Sequence, residues 1–140
     1  MSTDITAEHP ARAAGLASQA AARSKDKQAW LALFAEDGCI EDPVGPSGFD
    51  PEGKGHRGKE AIAAFYDMAI AKTDSIEFVF DDSFACGNEV AFTGLIRTSI
   101  GGSVIDAEGV FTYRVDDEGK IAALRAFWEV DRAMATARPA

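Results

Sequence analysis

The chain has 140 residues, of which 46% are hydrophobic and 26% are charged. These values are ordinary for a globular protein, and the length suits one domain with its own core, so we expect a single domain over residues 1–140. The formal net charge of −9 disfavours nucleic acids and anionic membranes as partners, because both bind positively charged surfaces.

The sequence contains no pattern typical of a metal or cofactor site. Its two cysteines, Cys39 and Cys86, and its two histidines, His9 and His56, lack the spacing of zinc ligands. We therefore expect neither a metal nor a cofactor. The N-terminus lacks the apolar core of a signal peptide, and no apolar run reaches membrane-spanning length, so we expect a cytoplasmic protein without membrane contact.

The first part of the chain has the composition of two helices. Residues 7–24 are rich in alanine, with Pro10 suited to the first turn. Asp26 is suited to cap a second helix, which we expect to include Phe34 in its apolar face and to end at Gly38.

A strand, a loop and a third helix follow in the predicted order. Residues 39–42 predict a short strand, and residues 43–57 predict a long loop because they contain three prolines and four glycines. Loops of this length inside compact domains are often functional. Residues 58–71 have the clearest helical pattern of the chain.

The second half of the chain alternates apolar and polar residues, as strands do. We predict strands over residues 76–80, 90–100, 104–115 and 121–130. The pair Gly101-Gly102 indicates a hairpin between two of them. The sequence therefore predicts an α+β fold, in which the N-terminal helices cover the concave face of a curved antiparallel sheet and leave an apolar pocket. Residues 1–6 and 132–140 are expected to be loosely ordered.

Asp42 is the position that most strongly suggests chemistry. It ends an apolar strand and precedes Pro43, which disfavours a helical conformation for Asp42. A carboxylate at the mouth of a pocket loses water, which raises its pKa and suits it to proton transfer. Read locally, a solvated acidic pair of Glu41 and Asp42 is the commoner arrangement, because exposed acidic residues are the norm.

Several segments together resemble the ketosteroid isomerase family, in the superfamily of nuclear transport factor 2-like and SnoaL-like proteins. The similar segments are 34–37, Ile40-Glu41-Asp42-Pro43-Val44-Gly45, Gly58-Lys59-Glu60-Ala61-Ile62-Ala63-Ala64-Phe65-Tyr66, 114–121 and 126–128. They cover nearly the whole chain in order. The resemblance implies a cone-shaped fold and assigns to Asp42 the family's general base, which moves a proton between two carbons beside a ketone.

The resemblance also identifies further candidate residues. The family's two oxyanion donors, a tyrosine and a second aspartate, match Ser18 and Phe111, and neither of these replaces them. Tyr66 matches a tyrosine that supports the oxyanion hole, and we take it as the second catalytic candidate. The substrate-binding candidates are Ser18, Phe34, Phe65, Phe111, Leu124 and Trp128.

A replacement donor is needed, because stabilising the developing enolate is a large part of such catalysis. Tyr66, Glu108 and Tyr113 are the candidates. Strand alternation places Glu108 on the face opposite Phe111, and the sequence leaves open whether Asp106 or Glu108 faces the pocket.

We expect an isomerase that binds a steroid-like apolar ketone. The alternatives are a non-catalytic binding protein for a steroid-like or polycyclic ligand, and a SnoaL-like cyclase or epoxide hydrolase. The hydrolase would need an arginine between two aspartates, and neither Arg97 nor Arg125 shows that arrangement in the sequence. We also expect a homodimer through the outer face of the sheet, because the strands carry apolar residues on both faces.

Overall fold

The computed structural model describes residues 9–140, so the expectation for residues 1–6 lies outside the described part. The helices are α1 (Pro10–Arg23), α2 (Lys27–Ala32), α3 (Lys59–Phe65) with a π-helical turn (Tyr66–Ile70) after it, and α4 (Val130–Met134). The strands are β1 (Phe34–Glu41), β2 (His56–Arg57), β3 (Ser75–Cys86), β4 (Glu89–Ile100), β5 (Ser103–Val115), β6 (Ile121–Phe127) and β7 (Arg138–Pro139).

The first two helices begin where local chemistry favours a helix start. His9 precedes α1, and its Nδ1 accepts a hydrogen bond from the backbone N–H of Ala11 at 3.1 Å. Pro10 occupies the first turn, where its missing N–H costs no hydrogen bond. Asp26 caps α2 as predicted, because its carboxylate accepts the N–H of Ala29 at 3.1 Å.

The prediction that Phe34 belongs to the second helix and that Gly38 ends it is wrong. The second helix ends at Ala32, and Phe34 opens β1, which runs parallel to β6 with Phe34 opposite Ile121. Gly38 lies inside β1, and its carbonyl accepts the N–H of Gly58 at 2.8 Å. Pairing between strands distant in sequence here outweighs a local helical pattern.

The C-terminal segment is also more regular than the sequence suggests. The last long strand ends at Phe127, and residues 132–140, expected to be loosely ordered, contain most of α4 and all of β7. Ala133 of α4 is buried, and β7 pairs with β5 through Val104 and Arg138. These contacts give the segment its order.

The strands form one curved, open sheet in the order β2-β1-β6-β5-β4-β3, with β7 on β5. All pairs are antiparallel except β1 with β6. The register of β3 shifts between Phe80 and Asp82, opposite Gly94, and Gly94 pairs with Gly109 of β5. The bulge in β3 and the two paired glycines lie side by side across the sheet, and they mark the place where the strands bend around the concave face.

The helices cover this concave face, as the sequence predicts. α1 approaches β4 and β5 closely because Gly15 has no side chain: a Cβ there would lie 2.8 Å from Phe92 and 2.9 Å from Tyr113. The aromatic rings of Phe80, Phe92 and Phe111 pack together beneath the helix.

No helix within residues 9–140 is long and apolar enough to cross a membrane.

Candidate active site

A cavity of about 390 Å³ lies between the helices and the concave face of the sheet. This volume falls within the range of small-molecule sites, about 300–1,000 Å³. Most side chains that line it are apolar. The polar side chains in its wall include Ser18, Asp42, Tyr113 and Trp128, and a hydrogen bond joins Asp42 to Trp128. The cavity therefore suits an apolar ligand that carries a polar group at one point.

The end of β1 positions Asp42 in the cavity wall. Asp42 follows Glu41, the last residue of that strand, and a cis peptide bond joins it to Pro43. The indole Nε1–H of Trp128 donates a hydrogen bond to Asp42 Oδ1 at 2.6 Å. Because Trp128 directly follows β6, the neighbour of β1 in the sheet, two strand ends hold this pair together.

The surroundings of Asp42 favour its protonated form. Loss of water on burial raises the pKa of the carboxyl, and this effect exceeds the opposing effects of the Trp128 hydrogen bond and the charge of His56. Within residues 9–140, no hydrogen bond reaches Asp42 Oδ2. A carboxylate with one oxygen held and a raised pKa is suited to accept a proton and return it.

Tyr113 lies on the concave face of β5 and is buried, with 4% of its surface exposed. Burial raises the pKa of its phenol to about 12, so the hydroxyl keeps its proton at any physiological pH. The negative charge of Asp42 raises this pKa further, and the side chains of Gln19 and Ser18 lower it. The phenol is therefore a proton-bearing neighbour of the candidate base.

The structure brings most of the expected ligand-binding residues into the wall of the cavity. These are Ser18, Phe65, Phe111, Leu124 and Trp128. Phe65 reaches the wall from the end of α3, and Leu124 from the concave face of β6 opposite Tyr113.

Tyr66 and Phe34, expected to belong to the site, do not line the cavity. Both rings pack against Trp30, with centroids at 5.3 Å for Tyr66 and 4.7 Å for Phe34, and Trp30 itself lines the cavity. The two residues thus form a layer behind the wall. Tyr66 opens the π-helical turn that follows α3.

Asp106 and Glu108 lie on the outer face of β5, which settles a point that the sequence leaves open. Asp106 accepts hydrogen bonds from Arg97 at 2.8 Å and from Arg138 at 3.2 Å. Glu108 pairs with Arg132 at 2.9 Å and is largely exposed. Neither carboxylate can reach a ligand in the cavity.

Two features of the site carried little signal in the sequence. Trp128 was identified as an apolar lining residue, whereas its N–H group also holds Asp42. Exposed apolar side chains surround the mouth of the cavity, and a sequence pattern does not show which segments meet there. They are Phe49, Met68, Ile100, Val130 and Met134.

The described residues contain no group of three or more His, Cys, Asp or Glu side chains able to hold a metal ion.

Comparisons with known proteins agree with this architecture. A steroid delta-isomerase of Nocardioides simplex is 31% identical over 97 residues, which are 69% of this chain and 72% of the relative. The solved delta 5-3-ketosteroid isomerase from Mycobacterium sp. is 40% identical with a TM-score of 0.83, and the match covers 88% of this chain and 95% of that one.

A third similar protein is RV0760c of Mycobacterium tuberculosis, solved in complex with estradiol-17beta-hemisuccinate. It is 35% identical with a TM-score of 0.82, and the match covers 89% of this chain and 97% of that one. The family described as SnoaL-like domain matches residues 16–124. The chain therefore belongs to the SnoaL-like domain family of the nuclear transport factor 2-like superfamily, with ketosteroid isomerases among its relatives.

Proposed function

We propose that this protein is a ketosteroid isomerase-like enzyme, in which Asp42 transfers a proton next to the ketone of a steroid-like apolar substrate. The observation that carries the proposal is the Asp42 carboxyl in the wall of an apolar cavity, held at one oxygen by Trp128 and with a raised pKa. The chain's similarity to isomerases gives this reaction preference over other proton transfers.

The reaction follows from these groups in two proton transfers. The Asp42 carboxylate removes a proton from the carbon between the ketone and the double bond, which breaks a C–H bond and forms an enolate. The double bond then moves into conjugation while protonated Asp42 returns the same proton to the far end of the double bond. Because its pKa is raised, the Asp42 carboxylate is a stronger base than an exposed aspartate and is better suited to remove this proton.

The shape and lining of the cavity support a rigid apolar ligand. Phe65, Phe111 and Leu124 provide apolar contacts in the wall, and exposed Phe49 and Met68 extend these contacts to the mouth. A similar protein was solved with a steroid derivative, estradiol-17beta-hemisuccinate. A steroid-like ketone is accordingly the substrate class that we propose for this chain.

The test compares Asp42→Asn with the wild type. Asparagine keeps the shape and can still accept the Trp128 hydrogen bond, but it cannot take the proton. Turnover of a β,γ-unsaturated ketosteroid, followed by the absorbance of its conjugated product, should fall by about 10²–10⁴-fold. Asp37→Asn is the matched control, because Asp37 is exposed on β1, the strand that leads to Asp42, and lies outside the cavity wall. Undiminished turnover in Asp42→Asn would rule out the mechanism.

A binding protein for the same ligands is the second candidate. By the family resemblance, Ser18 and Phe111 match the positions of the usual oxyanion donors, and this departure favours binding without turnover. Tight steroid binding by a wild-type protein that produces no conjugated ketone would support this alternative. A hydrolase of the epoxide type has less support, since the cavity lining within residues 9–140 contains no arginine.

A further inference from the structure

The proposed reaction places negative charge on the ketone oxygen, and a hydrogen-bond donor must meet it. Among the candidates that the sequence offered, Glu108 lies outside the cavity in an ion pair, and Tyr66 lies behind Trp30. Ser18 lines the cavity, but its short side chain reaches less far than a phenol. Tyr113 lines the same cavity, two residues along β5 from Phe111, and both side chains point to the concave face.

We infer that Tyr113 is the oxyanion donor of this site: its phenol O–H donates to the substrate ketone while Asp42 takes the proton from the adjacent carbon. The inference rests on the proposed function for the proton transfer and on three further observations of the structure.

The first observation is position. Leu124 of β6 lies opposite Tyr113 on one side and opposite Ile40 of β1 on the other. Because Asp42 follows Ile40 by two residues and lines the same cavity as Tyr113, the base and the phenol face one part of the cavity. A ketone and its adjacent carbon, separated by one bond, need the donor and the base in such proximity. Gly15 fixes the place of the phenol ring from behind, since it lets α1 lie against Tyr113 with no side chain between them.

The second observation concerns the groups around the phenol. Ser18 and Gln19 lie one turn after Gly15 on α1, the helix that packs against the Tyr113 ring, and both side chains lower the pKa of the phenol. Such groups also stabilise the partial negative charge that the phenol oxygen acquires when its proton is shared with an enolate. α1 thereby supports the donor without supplying the family's tyrosine.

The third observation is an unpaired donor. Gln19 is 5% exposed, and its Nε2 group has no hydrogen-bond partner within residues 9–140. Buried polar groups are normally hydrogen-bonded. An amide left free beside Tyr113 can bond to the phenol oxygen once the phenol proton points to a ligand, and we assign Gln19 the role of a positioning residue.

The chain offers a matched pair of variants because it contains two tyrosines, Tyr66 and Tyr113, and both are buried. Tyr113→Phe removes the donor in the cavity, and Tyr66→Phe removes an equivalent hydroxyl behind its wall. The probe is testosterone labelled with ¹³C at its ketone carbon, and its infrared carbonyl band is measured when it is bound to the full-length protein. A stronger hydrogen bond to the ketone lowers the frequency of this band.

We expect Tyr113→Phe to move the bound carbonyl band to higher frequency and to lower turnover by about 10²–10³-fold, the usual effect of losing one oxyanion donor. Tyr66→Phe should leave the band unchanged. Gln19→Met removes the amide at similar volume. It should move the band to higher frequency as well, but by less than Tyr113→Phe does. An unchanged band and unchanged turnover in Tyr113→Phe would overturn the inference.

The two proposals fail in distinguishable ways. A wild-type protein that binds testosterone with a Tyr113-dependent band, yet does not isomerise ketosteroids, would overturn the isomerase and retain the donor. Turnover that depends on Asp42 but not on Tyr113 would retain the isomerase and overturn the donor. Absence of both testosterone binding and ketosteroid turnover in the wild type would overturn both.

Discussion

Asp42 influences the stability of the protein as well as its proposed chemistry. Because burial raises its pKa above the ordinary value of 3.8, the folded protein retains the Asp42 proton at pH values where the unfolded chain has lost it. Within that window the folded state binds more protons, so the free energy of unfolding falls as pH rises. At pH values above the pKa of Asp42 in the folded protein, both states have lost the proton, and the loss in free energy of unfolding no longer changes with pH.

Asp42→Asn should therefore stabilise the protein at neutral pH while it abolishes proton transfer. Its advantage in unfolding free energy should be small below pH 3.8 and grow as pH rises through the pKa of folded Asp42. The plateau corresponds to about 1.4 kcal/mol for every tenfold difference between the acid dissociation constants of the two states. Urea denaturation of both proteins across this pH range measures the effect.

Asp50 provides the control with the opposite sign. The backbone N–H groups of Gly55 and Lys54 donate to its carboxylate at 2.7 and 3.2 Å, and these hydrogen bonds lower its pKa. Its contribution to stability is present above its unfolded pKa and is lost as pH falls through the lower folded value. Asp50→Asn should thus destabilise the protein at neutral pH. A stability gain in Asp50→Asn similar to that in Asp42→Asn would contradict this account.

At the residue scale, the sequence predicts best what depends on local order. Asp42 was identifiable because a strand end and a proline fix its surroundings within a few residues. Tyr66 packs behind Trp30 and does not line the cavity, and no local pattern in the sequence shows that the Trp30 ring stands between Tyr66 and the cavity. The partnership of Asp42 with Trp128 joins residues 86 positions apart, which only the pairing of β1 with β6 brings together.

At the scale of elements, the bend of the sheet determines the space for the cavity. Gly109 is required at this bend, because a Cβ there would lie 2.0 Å from the carbonyl oxygen of Phe127 and 3.2 Å from Trp128. The close contact of Gly109 with Phe127, the last residue of β6, also determines the direction in which the chain continues to Trp128. Gly94, its partner across the strands, is similarly close to Val79 of β3.

Gly109→Ala should lower the free energy of unfolding by about 1–3 kcal/mol, the usual cost of overpacking. It should also weaken ligand binding, since relieving the contact displaces Trp128 and with it the support of Asp42. Thermal or urea denaturation measures the first effect, and fluorescence or calorimetric titration with testosterone measures the second.

Gly48→Ala is the control for stability, because a Cβ at that position meets nothing within 4 Å. Equal stability losses in the two alanine variants would show that the close approach at Gly109 is not the cause.

The strands and their turns were predictable as elements because alternation and glycine pairs are local signals. The start of β1 at Phe34 and the ordered C-terminal segment were not. Both depend on pairing partners far along the chain, Ile121 for Phe34 and Val104 for Arg138. Local propensity carries no information about such partners.

At the scale of the whole molecule, the outer face of the sheet bears apolar side chains in solvent. Phe84, Val110 and Phe127 are exposed by 61%, 38% and 43%. Beside them lies a groove of about 340 Å³, lined in part by Phe84, Arg125 and Phe127. In a two-fold contact the same surface of each copy meets that of the other, so one surface must supply both projecting side chains and a groove that receives them. The outer face of this sheet has both features.

We expect this face to join two copies of the chain into a homodimer. Phe127→Glu should convert it to a monomer, since it places a charge in an apolar contact of each copy. Phe49→Glu is the matched control: Phe49 is 39% exposed, but it lies at the cavity mouth, away from the outer face of the sheet. Sedimentation equilibrium at micromolar concentration should find a dimer for the wild type and Phe49→Glu, and a monomer for Phe127→Glu. A wild-type monomer under these conditions would contradict the dimer, and a dimeric Phe127→Glu would place the contact on another face.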